Sequence, residues 1–231
     1  MRQEPFPAYH VFDLEHWARK EHYFYYTEKL PVSYSVTVPV DVKILKAWCR
    51  REKRRFYPMV IYCMSRTVNE LEFLRMFRDH AGRLCVWESV NPCYTVFHED
   101  DHTFSDMWSY YDPDPDKGYR IIAEDMEKYG NIQSVKARGG QPANFFCVSM
   151  EPWFRFTGYA AHASGQAAKF FPVITCGKYE PAYEITKDGS VKEKLQMPVS
   201  VTVSHAVADG YHTGLFFKTL QQEMNRFGQM D

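Results

Sequence analysis

The sequence predicts an α+β fold, and three observations carry that expectation. Helical patterns lead the first half of the chain, while strand patterns dominate the middle. Near the C-terminus a period-two run, Val199, Val201 and Val203 alternating with Ser200, Thr202 and Ser204, gives way to a helical apolar stripe of Thr213, Phe216, Phe217, Leu220, Met224 and Phe227. No repeat, low-complexity tract or linker interrupts the 231 residues, so 1–231 is expected to be a single domain.

Taken in order, Tyr9 to Phe12 suits a short strand, and Asp13 is placed to cap a helix from about Leu14 to Tyr26, closed by Pro31. Tyr34, Val36 and Val38 alternate with Ser33, Ser35 and Thr37 as a strand, after which Asp41 is placed to cap a helix over about 42–52. Phe56-Tyr57-Pro58 opens a third helix to about Glu70, with Val60, Ile61, Cys63, Met64 and Val68 inward. Leu84–Trp87 and Tyr94–Phe97 read as strands joined around Asn91-Pro92. The Asp112-Pro-Asp-Pro-Asp116 break leads to a helix over about 117–129, with Asp116 as its cap. Ser134–Pro142 is a loop, Phe145–Ser149 a strand ended by Pro152-Trp153, and Phe170–Cys176 another strand. The stretch 158–168 is rich in small residues and matches no element. Tyr183–Thr186 and Val191–Gln196 flank Asp188-Gly189, a hairpin signal.

The period change after Ser204 isolates a chemically interesting turn. His205 ends a half-buried strand on the valine face, Asp209 follows, and Gly210 lets the backbone turn into the next helix. A buried histidine bonded to backbone, followed by an aspartate N-cap, would produce the same local pattern.

Composition narrows the function classes. Net charge is −1, which argues against nucleic acid as the main partner. No apolar run approaches the roughly 20 residues that span a bilayer, and residues 1–13 lack the apolar centre of a secretory signal. The six cysteines form no C-x-x-C and no metal spacing with histidine, so they are expected to be free thiols in a reducing cytoplasm, with no metal site. Aromatics make up 16% of the chain, enough for a bulky core, a ring-lined pocket or an oligomer interface. The one basic cluster, Arg50-Arg51-Glu52-Lys53-Arg54-Arg55, suits a solvated helix end or an anion site.

His205-Ala-Val-Ala-Asp209-Gly210 matches the H-x-x-x-D-G pattern shared by chloramphenicol acetyltransferases and dihydrolipoyl acyltransferases. Further fragments follow in order: Trp17-Ala-Arg19-Lys-Glu-His-Tyr23, Phe56-Tyr57-Pro58, Val86–Val90, Tyr94–His98, Thr103-Phe104-Ser105, Val148-Ser149-x-x-Pro152-Trp153, Phe170-x-Pro172, Thr175 and Lys178-Tyr179. Together they resemble the classical trimeric chloramphenicol acetyltransferase family over nearly the whole chain.

The resemblance implies a two-layer sandwich of a mixed sheet with helices, of CoA-dependent acyltransferase type. It also implies direct acetyl transfer from acetyl-CoA to a small-molecule hydroxyl. On this pattern His205 is the general base, Ser149 stabilises the oxyanion, and Thr175 assists through water; Asp209 pairs with Arg19 to hold the His205 loop. The acceptor pocket would comprise Tyr26, Val32, Tyr34, Phe104, Cys147, Tyr159, Ala161, Ala163 and Val173. Arg55 and Lys178 would meet CoA phosphate, and Tyr57, Trp153 and Tyr179 would pack on the cofactor. The resemblance further implies a homotrimer whose sites lie between subunits. Departures from the family pattern are Ser204 before the base, Ala208 before Asp209, Ala161 and Ala163 for larger aliphatics, Tyr34 and Tyr159 for Phe, and a longer hairpin around Asp188. They bear on the acceptor, so an acyltransferase with another acceptor is one alternative. A 2-oxoacid dehydrogenase acyltransferase core and a trimeric small-molecule binder without turnover are the others.

Overall fold

The computed structural model describes residues 7–161 and 170–229. The elements are β1 (Tyr9–Val11), α1 (Lys20–Phe24), a π-helical turn (Tyr25–Lys29), β2 (Ser33–Asp41), α2 (Lys43–Arg51), α3 (Phe56–Glu70), a 3-10 turn (Glu72–Leu74), β3 (Met76–Arg78), β4 (Leu84–Trp87), β5 (Asn91–His98), β6 (Thr103–Trp108), α4 (Pro115–Tyr129), β7 (Phe145–Glu151), β8 (Val173–Gly177), β9 (Glu180–Ile185), β10 (Val191–Ser204) and α5 (Gly210–Arg226). The fold is α+β, a mixed sheet layered with helices. The main sheet runs β2-β10-β8-β7-β5-β6, with β9 also paired to β10, and a small antiparallel sheet runs β1-β4-β3. β5, β7 and β8 are mutually parallel, and the other pairs of the main sheet are antiparallel. No helix among the described residues is long and apolar enough to cross a membrane.

The central strand β10 departs from expectation twice. The two predicted runs, 191–196 and 199–204, are one continuous strand. Pro198 does not break it, because it falls where β8 hands over to β9 and lies opposite Pro39 of β2. The missing donor thus coincides with a gap in pairing on that side. Gly177 is required there: a Cβ would lie 2.7 Å from Cγ of Pro198.

The strand is also buried on both faces. Val199, Val201 and Val203 enter the core that includes α3 and α5 side chains, yet Ser200, Thr202 and Ser204 are at most 3% exposed. The hydroxyls are satisfied within the fold: Ser200 donates to the Tyr159 carbonyl at 2.7 Å, and Thr202 shares a 2.7 Å bond with Ser35. A hydroxyl row with partners can be buried like an apolar one.

Other differences have local causes. Asp13 accepts from His16 in an isolated turn, and the first helix begins only at Lys20. Asp41 ends β2 and accepts from Lys43, while Val42 occupies the cap position of α2. Asp114, not Asp116, caps α4, accepting from the amides of Asp116 and Lys117, with Pro115 at the first helical position. Asn91 and Pro92 belong to β5, which lies in a different sheet from β4, so these two strands are not a hairpin. β8 starts at Val173, because Phe170 has a φ of 60° and its ring is buried against Tyr23. The Asp188-Gly189 hairpin forms as expected, with Gly189 at a φ of 83°.

Candidate active site

His205 follows the last residue of β10, and its amide extends the ladder by donating to the Val32 carbonyl at 2.9 Å. Its ring is held on three sides. Nδ1 lies 3.0 Å from the Ala208 carbonyl. A carbonyl only accepts, so Nδ1 carries the proton and Nε2 keeps the basic lone pair. Tyr26 stacks on the imidazole at 4.0 Å between centroids and 13° between planes, and Tyr34 sits tilted at 5.0 Å. The π-helical turn, wider than an α turn, carries Tyr26 into this position. Burial raises the Tyr34 phenol, which stays neutral beside the ring. Ala208, a departure at the side chain, contributes through its backbone, which any residue there would supply.

Asp209 has two jobs at once. Its carboxylate caps α5, accepting from Tyr211 and His212 amides in a reciprocal capping box with His212, and it also pairs with Nη1 of Arg19. Nη2 of the same guanidinium donates to the His205 carbonyl at 3.0 Å. Arg19 therefore ties the helix cap to the turn that carries the imidazole. Burial alone would raise the Asp209 carboxyl, but the His212 bond and the Arg19 charge hold it below its usual range. A depressed carboxylate supports the fold fully above its unfolded value, about 3.9, and that support fades only as pH falls through the lower folded value. Arg19→Ala is expected to cost about 2 kcal/mol, discounted from a fully buried pair because Asp209 is partly exposed. For a domain this size that is a fall in Tm of about 4–8 °C, with a lower kcat because the His205 turn loosens. An unchanged Tm and kcat would show that the pair carries nothing.

Ser149, Thr175, Ser200 and Thr37 are successive register partners across β7, β8, β10 and β2, so their side chains form one row on one face. The next row joins Cys93, Cys147, Val173, Thr202 and Ser35. The Ser149 hydroxyl reaches Glu151 at 3.4 Å. The backbone of Tyr159 crosses this face, its amide 3.3 Å from Thr37 and its carbonyl bound by Ser200. Ala161 is half-buried near the end of that segment, Phe104 is 60% exposed on the edge strand β6, and Ala163 lies outside the described residues.

Within one chain His205 and Ser149 do not meet. From Ser200 along β10 to His205 is about 17 Å, and two strand steps to β7 add about 10 Å crosswise, so Ser149 lies roughly 19 Å from His205. Arg19, Tyr26, Val32, Tyr34 and Asp209 gather around His205; Cys147, Ser149, Val173 and Thr175 gather elsewhere on the sheet.

The residues expected at the cofactor divide similarly. Arg55 and Tyr57 line a cavity of about 460 Å³ between the start of α3, the end of α4 and strands β5 and β7. Trp153, half exposed, lies edge-on to Phe97 of the same cavity at 4.7 Å. The Tyr57 hydroxyl donates to the Thr95 carbonyl at 3.0 Å, and burial drives its phenol far up, so it is a neutral donor. Arg55 already reaches the Ala123 carbonyl at 2.8 Å and Glu127 at 3.4 Å. Tyr179 packs on Phe56 at 5.4 Å with the Lys46 ammonium over both rings, and Lys178 is exposed beside it. Sequence reasoning missed Phe97, Met150 and Pro152 as cavity walls, although each lies in a quoted fragment, and missed His212 as the partner of Asp209.

A model of the family described as chloramphenicol acetyltransferase matches residues 8–221. The chain belongs to the chloramphenicol acetyltransferase family. It is 32% identical over 214 residues to the chloramphenicol acetyltransferase of Clostridium butyricum, covering 93% of this chain and 94% of that one. It is 34% identical over 218 residues to chloramphenicol acetyltransferase 3 of Escherichia coli, covering 94% and 97%. Among solved structures, a chloramphenicol acetyltransferase superposes with a TM-score of 0.78 at 21% identity, over 94% of this chain and all of the other. A probable dihydrolipoamide acetyltransferase from Listeria monocytogenes shares the fold at a TM-score of 0.64 and 12% identity, over 91% of each chain. Membership of the chloramphenicol acetyltransferase family makes this chain an acyltransferase.

Proposed function

We propose that the protein transfers the acetyl group of acetyl-CoA directly to a hydroxyl of chloramphenicol or a related small aromatic alcohol, at sites shared between the subunits of a homotrimer. The observation that carries this reading is the pairing of an oriented base with a distant oxyanion donor. His205 has the tautomer a general base needs, but the Ser149 and Thr175 row lies too far away on the same chain. A neighbouring copy that brings its Ser149 face against this His205 completes a site from two halves.

In such a site Nε2 of His205 takes the acceptor's hydroxyl proton as the oxygen attacks the thioester carbonyl. The carbonyl becomes a tetrahedral oxyanion, to which the Ser149 hydroxyl turns from Glu151, with Thr175 assisting through water. Collapse breaks the carbon–sulfur bond, and the departing thiolate recovers the proton from His205. The cavity at Tyr57 is largely apolar, as the pantetheine arm requires, and Arg55 in its wall is suited to phosphate. Tyr34, Tyr159 and Ala161 are where the acceptor's identity would be tuned.

The test is release of free thiol from acetyl-CoA over a panel of alcohols, chloramphenicol first. Turnover is expected, and Ser149→Ala is expected to lower kcat by roughly a hundredfold with little change in KM for acetyl-CoA. Binding of chloramphenicol without thiol release would favour the small-molecule binder. Turnover of other alcohols alone would reassign the acceptor.

A further inference from the structure

Two thiols stand side by side in the sheet, and neither reacts in the chemistry above. Cys93 of β5 and Cys147 of β7 are register partners on parallel strands. Such partners project to the same face, and their strands are about 4.8 Å apart. That separation lies inside the range of about 4.4–6.8 Å between Cα atoms that a disulfide accepts. The remaining cysteines, Cys49, Cys63, Cys85 and Cys176, are buried, and Cys176 lies against Met64.

We propose that Cys93 and Cys147 are a dithiol that a peroxide closes to a disulfide, and that closure reshapes the wall beside Ser149. The second half of this statement rests on the acceptor-pocket reading above; the first does not. Cys147 is half-buried and Cys93 only 5% exposed, which makes Cys147 the sulfur an oxidant meets and Cys93 the one that resolves it. Lys136 is fixed by Asp106 at 2.8 Å and Gln141 at 3.2 Å, and the Cys93 thiol lies 3.7 Å from the same Gln141 oxygen.

The chemistry balances with hydrogen peroxide as oxidant. The Cys147 sulfur attacks one peroxide oxygen; the O–O bond breaks, the Cys147 proton joins the departing hydroxide as one water, and Cys147 becomes a sulfenic acid. The Cys93 sulfur then attacks the sulfenic sulfur; the S–S bond forms and the S–O bond breaks. The departing hydroxide and the Cys93 proton make the second water. Two electrons pass from the two sulfurs to the peroxide. Cys147 shares its row with Val173 and sits two residues before Ser149, so drawing its sulfur toward β5 removes a contact from that wall.

The test treats the folded, reduced protein with hydrogen peroxide and reads intact mass, then alkylates the remaining thiols and reads non-reduced peptides. Expected are a mass loss of about 2 Da, a Cys93–Cys147 linked peptide, and full reversal by dithiothreitol. Cys93→Ser should show no linkage and leave a Cys147 sulfenic acid that dimedone traps. Oxidation of the wild-type enzyme should raise KM for the acceptor about tenfold, the worth of a methylene-sized pocket contact, without changing KM for acetyl-CoA. Before peroxide, Cys93→Ser should keep the kinetics of the reduced wild-type enzyme. Unchanged mass, or linkage through another cysteine, overturns the dithiol. Linkage with unchanged kinetics overturns its reach into the pocket. Because mass and peptides report without turnover, failure of the acetyl-transfer reading would appear separately, as absent thiol release in the reduced protein.

Discussion

Replacing His205 with alanine is expected to lower kcat by about a hundred- to ten-thousand-fold while the protein stays folded and assembled. The fold loses little, because the imidazole contributes one hydrogen bond, to the Ala208 carbonyl, and ring contacts with Tyr26 and Tyr34. The backbone bond to Val32 and the Arg19 contact with the His205 carbonyl do not depend on the side chain. The chemistry loses its only assigned proton acceptor, and a neutral hydroxyl attacks a thioester poorly without one. Circular dichroism, sedimentation and steady-state kinetics on the same preparation separate the two effects. Retention of more than about a tenth of kcat, too small a loss for a general base, would remove His205 from the mechanism.

The second large effect is a gain. On the proposed mechanism, His205→Ala and a Ser149→Ala, Val173→Trp double variant are each expected to be nearly inactive, one lacking the imidazole and the other lacking the Ser149 hydroxyl and carrying a blocked wall. Val173 is the right block because it shares the Ser149 side of the sheet, as register partner of Cys147, whereas Tyr26 stacks on the base of its own chain. If each site takes His205 from one copy and Ser149 from the next, co-refolding the variants at equal amounts creates intact sites. Random assortment in a closed trimer gives about a quarter of the sites an intact base opposite an intact serine. Activity should therefore climb from near zero to about a quarter of wild type. Mixed trimers confirmed by native mass spectrometry that remain as inactive as their parents would show that the site is not shared. The roughly 19 Å within one chain would then demand another explanation.

Much of the architecture was legible because it is written in short-range chemistry. The alternation through Tyr34, Val36 and Val38 is β2, Phe56-Tyr57-Pro58 opens α3, and the change of period at His205 is the β10–α5 corner with Asp209 as its cap. Each depends on residues a few positions apart, whose backbone preferences and capping bonds act locally. The three-residue β3 was not legible, because unlike the apolar run at β1 it carries no local strand signal and is defined by its pairing with Leu84–Trp87. The first helix was drawn too early because Asp13 can cap a turn as well as a helix, and the choice fell to Arg19, drawn to Asp209 at the other end of the chain.

For the site, the sequence by itself determined which groups are present: an imidazole at a strand–helix corner, an aspartate able to cap and pair, and hydroxyls at Ser149 and Thr175. Family resemblance attached roles to them. Only the tertiary structure decided where they stand. Strand order placed β8 between β10 and β7, which aligns Ser149 with Thr175 and Ser200 and leaves His205 beyond their reach. It also buried the Ser200, Thr202 and Ser204 face that alternation predicts to be open, with the segment at Tyr159 lying over Ser200. Alternation records which residues share a face, but a distance across a sheet depends on which strands become neighbours. That is settled by long-range pairing and packing that no local pattern contains.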